Sequence, residues 1–312
     1  MNAEIQRQPA HHRSGVLIAS LWMLALLLNT GCVNTAGHWK LEPDGENVGV
    51  HNERAAVPNS FEEEVIRAKE QHELATDARS LDQAIDALQT LLDQQPNNTA
   101  LQVELAEALV LFGAAYEKRR GKKRNRFKTA QKHAESALLS NPAFRAALEA
   151  GKRPGQAASK LEIADLPAMV IWATATAYLF DEGMTGLDRL RRFRGLEDLR
   201  LMMERAMALA PEHEYGLVPF SLAIFYIAAP PIAGGDRQLA AKLIEQAIAT
   251  PGVSLLPRWG RARYLHSLTG NREALRQDLE WVLAQDPAAV DSPYRWNVFV
   301  QRDSQRMLEG LQ

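Results

Sequence analysis

Cysteine is almost missing from this sequence. Cys32 stands alone among 312 residues, which excludes an internal disulfide framework and every metal motif built on paired cysteines. A dominant charge is missing too: 36 lysines and arginines face 38 acids, for a formal net charge of -2. No global field therefore gathers nucleic acid or acidic substrates, and no nucleic-acid partner is expected. Catalytic patterns are equally scarce. Glu212-His213-Glu214 lacks the spacing of a helical zinc pair, no Gly-x-Ser-x-Gly elbow occurs, and the one thiol sits at the end of an apolar leader. These absences predict a protein that is not an enzyme and needs no cofactor. What is present is 46% hydrophobic and 24% charged residues, enough for a substantial core in one large domain or two small ones.

The polar stretch Met1 to Arg13 precedes an apolar run of 14 residues, Gly15 to Leu28, and then Asn29-Thr30-Gly31-Cys32. This is the order of an export signal, and the run falls short of the roughly 20 residues that a permanent spanning helix needs. Small residues directly before Cys32 resemble the bacterial lipobox, in which the signal is cut before the cysteine and the thiol is lipidated. Asn29 departs from that pattern, because leucine is usual there and Leu28 comes one place early. Val33, standing where aspartate would retain a lipoprotein, resembles the pattern that permits sorting to the outer membrane. Residues 1–31 are therefore expected to be a lipoprotein signal peptide and Cys32 the lipidation site. Residues 32–59 read as a flexible tether, since Gly37, Pro43, Gly45, Gly49 and Pro58 break any apolar pattern.

From residue 60 to 312 the pattern is helical. Ser60-Phe-Glu-Glu63 has the spacing of a capping box, which predicts a helix starting at Ser60. Leu81, Ile85, Leu88, Leu91 and Leu92 recur at helical spacing, as do Leu101, Leu105, Ala108, Leu109 and Phe112, with no long alternating pattern to argue for strands. The expected fold is all-α. Five helices are expected to stop just before Pro96, Pro142, Pro211, Pro251 and Pro287, because proline cannot continue a helix. Counting back 12 residues from four of these prolines finds Ala84, Ala130, Leu199 and Leu275; counting back 8 finds Leu88, Ala134, Met203 and Leu279. Those offsets match the second helix of a tetratricopeptide repeat. The proline intervals of 46, 69, 40 and 36 residues exceed the usual repeat of about 34, so the solenoid is expected to be irregular.

A series of phrases then follows in order: Leu166-Pro-Ala-Met-Val-Ile-Trp172, Leu201 through Pro211, Tyr226-Ile-Ala-Ala-Pro-Pro-Ile-Ala-Gly-Gly-Asp236, Arg261-Ala-Arg-Tyr264, and Asn297 through Arg302. Together, over about residues 100 to 306, they resemble the T component of the tetratricopeptide-protein-associated TRAP transporters, bacterial lipoproteins that face the periplasm. The most specific phrase, Pro230 to Asp236, is also legible physically: the prolines end a helix, the glycines allow unusual backbone angles, and Asp236 can cap the helix through Ile248. The resemblance implies a helical solenoid that forms a homotrimer and partners the periplasmic solute-binding component of a TRAP system. It also implies a small hydrophobic or organic-acid ligand. A protein-interaction scaffold in envelope assembly is the alternative.

Aromatic residues concentrate after residue 170. Trp172, Phe220, Tyr226, Tyr264 and Asn297 are the expected ligand-binding residues, with Arg261 and Arg263 as further anchors for a carboxylate; core packing competes for the same aromatics. Lys118 to Lys128 carries 8 basic residues in 11. It reads as a solvated loop between helices, or as a landing patch for anionic lipid or an acidic partner.

Overall fold

The structure, a computed structural model, describes Trp39 and residues 59–185, 188, 195–231 and 234–311. The expected leader, Cys32 and the expected tether apart from Trp39 and Asn59 lie outside the described residues, as do Ile232 and Ala233 of the proline-glycine phrase. Among the described residues the fold is all-α, with helices and no strand. Its first helix, α1, spans Asn59–Glu73, so Ser60 lies within the helix and not at its cap. Then come α2 (Ala78–Gln94), α3 (Thr99–Ala115), α4 (Arg120–Leu139), α5 (Pro142–Glu149), α6 (Pro154–Ala157) and α7 (Leu166–Tyr178). The chain continues through α8 (Gly195–Leu209), α9 (Leu217–Ala228), α10 (Arg237–Ala249), α11 (Leu256–Gly260), α12 (Arg272–Leu283) and α13 (Tyr294–Glu309).

Proline does what its chemistry demands. Helices α2, α4, α8, α10 and α12 end at Gln94, Leu139, Leu209, Ala249 and Leu283, each shortly before one of the five prolines. Pro142 also opens α5 at its first position, where a missing N–H costs nothing, while the Asn141 side chain accepts from Phe144 N. Asp236 caps α10 as expected, accepting from Gln238 N and Leu239 N. All eight residues at the 8- and 12-residue offsets are buried.

One extended core runs through the helices, with neighbours in sequence packed as neighbours in space. Close approaches fix the crossings. A Cβ on Gly113 of α3 would stand 2.5 Å from Cε1 of Phe127 on α4, and one on Gly260 of α11 would stand 2.0 Å from Cε2 of Phe220 on α9. Residues 163–183, which contain α7, are long and apolar enough to cross a bilayer, yet half of that window is buried inside the body. Apolar burial against neighbouring helices accounts for its composition. The first and last helices meet: Glu73 of α1 accepts from Tyr294 N of α13 at 3.1 Å.

The basic segment is not a loop. Arg120 to Lys128 forms the first half of α4, and only Lys118 and Arg119 precede it, their amides held by Glu117 Oε1. Several of its cations have acidic partners from other elements. Lys123 pairs with Glu182, Arg124 with Asp188 at 3.5 Å, and Arg126 with Asp82 at 3.0 Å while it also lies over the Phe112 ring. Those acids offset the repulsion between like charges and the helix dipole at this end.

Candidate functional site

The five expected ligand-binding residues are placed separately. Trp172, on α7, is buried and donates its indole N–H to Glu135 Oε1 of α4 at 3.3 Å. Burial pushes the Glu135 carboxyl up to about 7, although that hydrogen bond and Lys132 pull the other way. Phe220 fills the α9–α11 crossing against Gly260. Tyr226, one turn and a half further along α9, packs edge-on against Phe225 and donates its hydroxyl to Glu204 of α8 at 3.1 Å.

Asn297 is fully committed. Its carbonyl oxygen accepts from Ser292 Oγ at 2.6 Å, and its amide donates to Pro287 O at 3.0 Å and Ser292 O at 2.7 Å. This side chain staples the turn between α12 and α13. Arg261 is similarly committed: it grips Asp278 with two hydrogen bonds, at 2.7 and 2.6 Å, and reaches Glu245 with a third. A surface cavity of about 450 Å³ lies instead between α2, α3 and the start of α4, bordered by Ile85, Gln89, Leu105, Leu109, Lys122 and Arg126. None of the five residues borders it.

Tyr264 is the member of the five with a different environment. The chain after α11 widens into a π-helical turn, Arg261–His266, and the chain after α7 does the same over Leu179–Gly183. Such turns shift side chains off the regular helical register. Tyr178, at the end of α7, and Arg263, Tyr264 and Asp303 act on one another electrostatically, and burial drives the Tyr178 hydroxyl well above its ordinary value. Arg263 donates to Asp303 Oδ2 at 2.6 Å and lies over the rings of Trp259 and Tyr264. Its side chain keeps 34% of its exposure, so this cation borders solvent with aromatic walls beside it.

Trp39, within the stretch expected to be a tether, packs edge-on against Phe144 at 5.4 Å and lies 6.1 Å from the Trp172 ring. The Trp39 indole sheds water against these two aromatic rings.

A second polar cluster has no counterpart among the sequence expectations. His72 of α1 is wholly buried, and its Nδ1 lies 2.6 Å from Glu104 Oε1 on α3. One turn along α3, Glu107 Oε1 accepts from Arg295 at 2.6 Å and from the Trp296 indole at 2.8 Å. Arg295, nearly buried at the start of α13, also pairs with Glu73. Glu107 sits in a recess where its side chain keeps 23% exposure, while the surrounding protein pushes its carboxyl up to about 8, with Glu104 and Glu214 adding like charge. Glu214 comes from a tight loop after α8 in which Glu214, Tyr215 and Gly216 all take left-handed backbone angles. Burial holds His72 below its ordinary pKa despite the Glu104 hydrogen bond. No local motif announces this site: its members lie up to 224 positions apart, as His72 and Trp296 do.

Residues 70–312 match the family TAtT, described as TRAP transporter T-component. Curated proteins give no match. The match covers well over half of the chain and contains all five expected site residues as well as both polar clusters, so the chain belongs to the TRAP transporter T-component family, accessory components of TRAP transport in the bacterial envelope.

Proposed function

We propose that this protein is a lipid-anchored, periplasm-facing subunit that binds a small amphipathic acid and docks the periplasmic solute-binding component of its TRAP system. Family membership over residues 70–312 carries the reading. An irregular tetratricopeptide-like solenoid of residues 60–312 agrees with the buried residues at repeat offsets and the helices ended by proline. The ligand is assigned to the cluster around Arg263 and Tyr264, where the partly exposed guanidinium, now paired with Asp303, would meet a carboxylate and the rings of Tyr264 and Tyr178 would lie beside a hydrocarbon body. Trp172, Phe220 and Tyr226 then support the walls by packing, and each copy acts within a homotrimer.

The test uses the full-length chain in detergent and the solute-binding component encoded beside it, followed by interferometry. A complex of micromolar affinity or better is expected, together with a trimer mass by light scattering. Octanoate serves as the probe for the ligand cluster, and Arg263→Ala is expected to weaken its binding at least tenfold, roughly the value of one charge-assisted hydrogen bond. No complex at any accessible concentration, or octanoate binding unchanged by Arg263→Ala, would overturn the reading. Cys32 is expected to hold the protein at the membrane: Cys32→Ser should move it to the soluble fraction or leave an uncleaved precursor on immunoblots. An unmodified Cys32 in the processed protein, seen by mass spectrometry, would rule out the anchor.

A further inference from the structure

We propose that His72, Glu104 and Glu107 form a binding site for a first-row divalent transition metal, Zn²⁺ in the first place, which links the first helix to the last. The juxtaposition carries the argument. One ligand atom from each of the three residues lies within 4.8 Å of the other two. Zinc makes bonds of about 2.0–2.2 Å with imidazole nitrogen and carboxylate oxygen, so an ion here would take the place of the direct His72–Glu104 hydrogen bond. One nitrogen and two oxygens suit this class of cation, whereas magnesium and calcium prefer oxygen alone.

The second observation is independent of the acids. His72 is wholly buried; its Nδ1 faces Glu104, and its Nε2, across the ring, has no hydrogen-bond partner among the described residues. A buried imidazole nitrogen without a partner is costly unless something meets its lone pair. The carboxylates agree. Both hydrogen bonds to Glu107, from Arg295 and Trp296, fall on Oε1, so neither occupies Oε2. Hydrogen-bonded partners of this kind orient metal-ligating carboxylates in general.

Charge points the same way. Glu73 and Glu107 both pair with Arg295, while Glu104 pairs with His72. Three carboxylates against one guanidinium leave acid in excess, which a divalent cation would offset. Glu214 brings another acid near Glu107. A bound ion would fasten α1 to α3 directly and to α13 through Arg295 and Trp296, where few other contacts join the two ends of the chain. Neither the octanoate reading nor docking of the solute-binding component depends on this site.

The experiment uses the full-length chain in detergent, stripped with chelator and titrated separately with Zn²⁺, Co²⁺ and Ca²⁺, with bound metal counted by mass spectrometry of the element. His11, His12 and Cys32 can also take zinc, so the readout is the difference between wild type and variants. His72→Asn and Glu107→Gln are each expected to lose one equivalent of Zn²⁺, or to bind it 10- to 100-fold more weakly. The visible Co²⁺ bands should fade in parallel. Glu107→Gln keeps an acceptor for Trp296, and circular dichroism checks that each variant is folded. Glu104→Gln, at the ligand without a hydrogen bond to Arg295 or Trp296, is the second variant should Glu107→Gln unfold. Equal zinc stoichiometry and affinity in wild type and folded variants would overturn the proposal, as would binding of Ca²⁺ in preference to Zn²⁺.

Discussion

Asp278→Ala is expected to destabilise the protein by about 3–5 kcal/mol, the usual cost of removing one partner from a buried ion pair. Asp278 keeps 4% of its side-chain exposure and Arg261 keeps 18%. Arg261 holds both carboxylate oxygens, and Arg258 and His266 approach the same group at 3.5 and 3.3 Å. Alanine would leave these three groups without their shared acceptor, and Glu245, on the surface of α10, can take only part of the Arg261 guanidinium. The same pair sits where α11 widens into its π-helical turn, so α11 and α12 should separate before the rest of the core does. Urea unfolding followed by circular dichroism measures the loss. A double variant, Arg261→Met with Asp278→Leu, should recover much of it, because the pair's attraction largely repays desolvation and little more. A midpoint for Asp278→Ala within 1 kcal/mol of wild type would show that the pair does not hold the crossing.

Stability should fall as pH rises from about 4.5 to about 7, by roughly 3 kcal/mol from Glu135 alone. The sign follows from proton counting. Burial lifts the Glu135 carboxyl to about 7 in the folded protein, against an ordinary value of 4.5. Between those values the folded state holds a proton that the unfolded chain has released, so each rise in pH favours unfolding; above about 7 both states are ionised and the contribution is flat. Glu135→Gln keeps an oxygen for the Trp172 indole and removes the titration. It should therefore flatten this part of the pH profile and raise stability at pH 8 relative to wild type. Thermal melts at pH 5, 6, 7 and 8 provide the test, and Trp172 fluorescence reports the site locally. Equal pH slopes in wild type and Glu135→Gln would sink the assignment.

Helix identity and helix ends were legible in the sequence because their causes are local. A proline removes an N–H and clashes within one turn, so Pro96, Pro142, Pro211, Pro251 and Pro287 end their helices wherever these pack. Asp236 caps α10 through amides two and three residues away. Ser60 shows the limit of the same reasoning, since a correct spacing placed the cap inside the helix. The basic run misled for a related reason: charge density alone read as loop, while Asp82, Glu182 and Asp188 supply partners from other elements that no window of sequence contains.

The site depended on tertiary structure almost entirely. Asn297 looked like a free polar anchor, but its amide is satisfied by Pro287 and Ser292, and Trp172 turns its indole to a buried glutamate one helix away. The cluster of His72, Glu104 and Glu107 with Arg295 and Trp296 exists because α1 and α13 meet, which is decided by the summed geometry of every helix crossing between them. The sequence by itself determined the all-α fold, the helix stops and the family, because each rests on steric and hydrogen-bonding rules that act within a few residues or on an ordered series of phrases. Which side chains face one another across 200 residues was settled only by packing, since burial rewards apolar area without regard to direction, whereas an ion pair or hydrogen bond forms only where distance and angle are met.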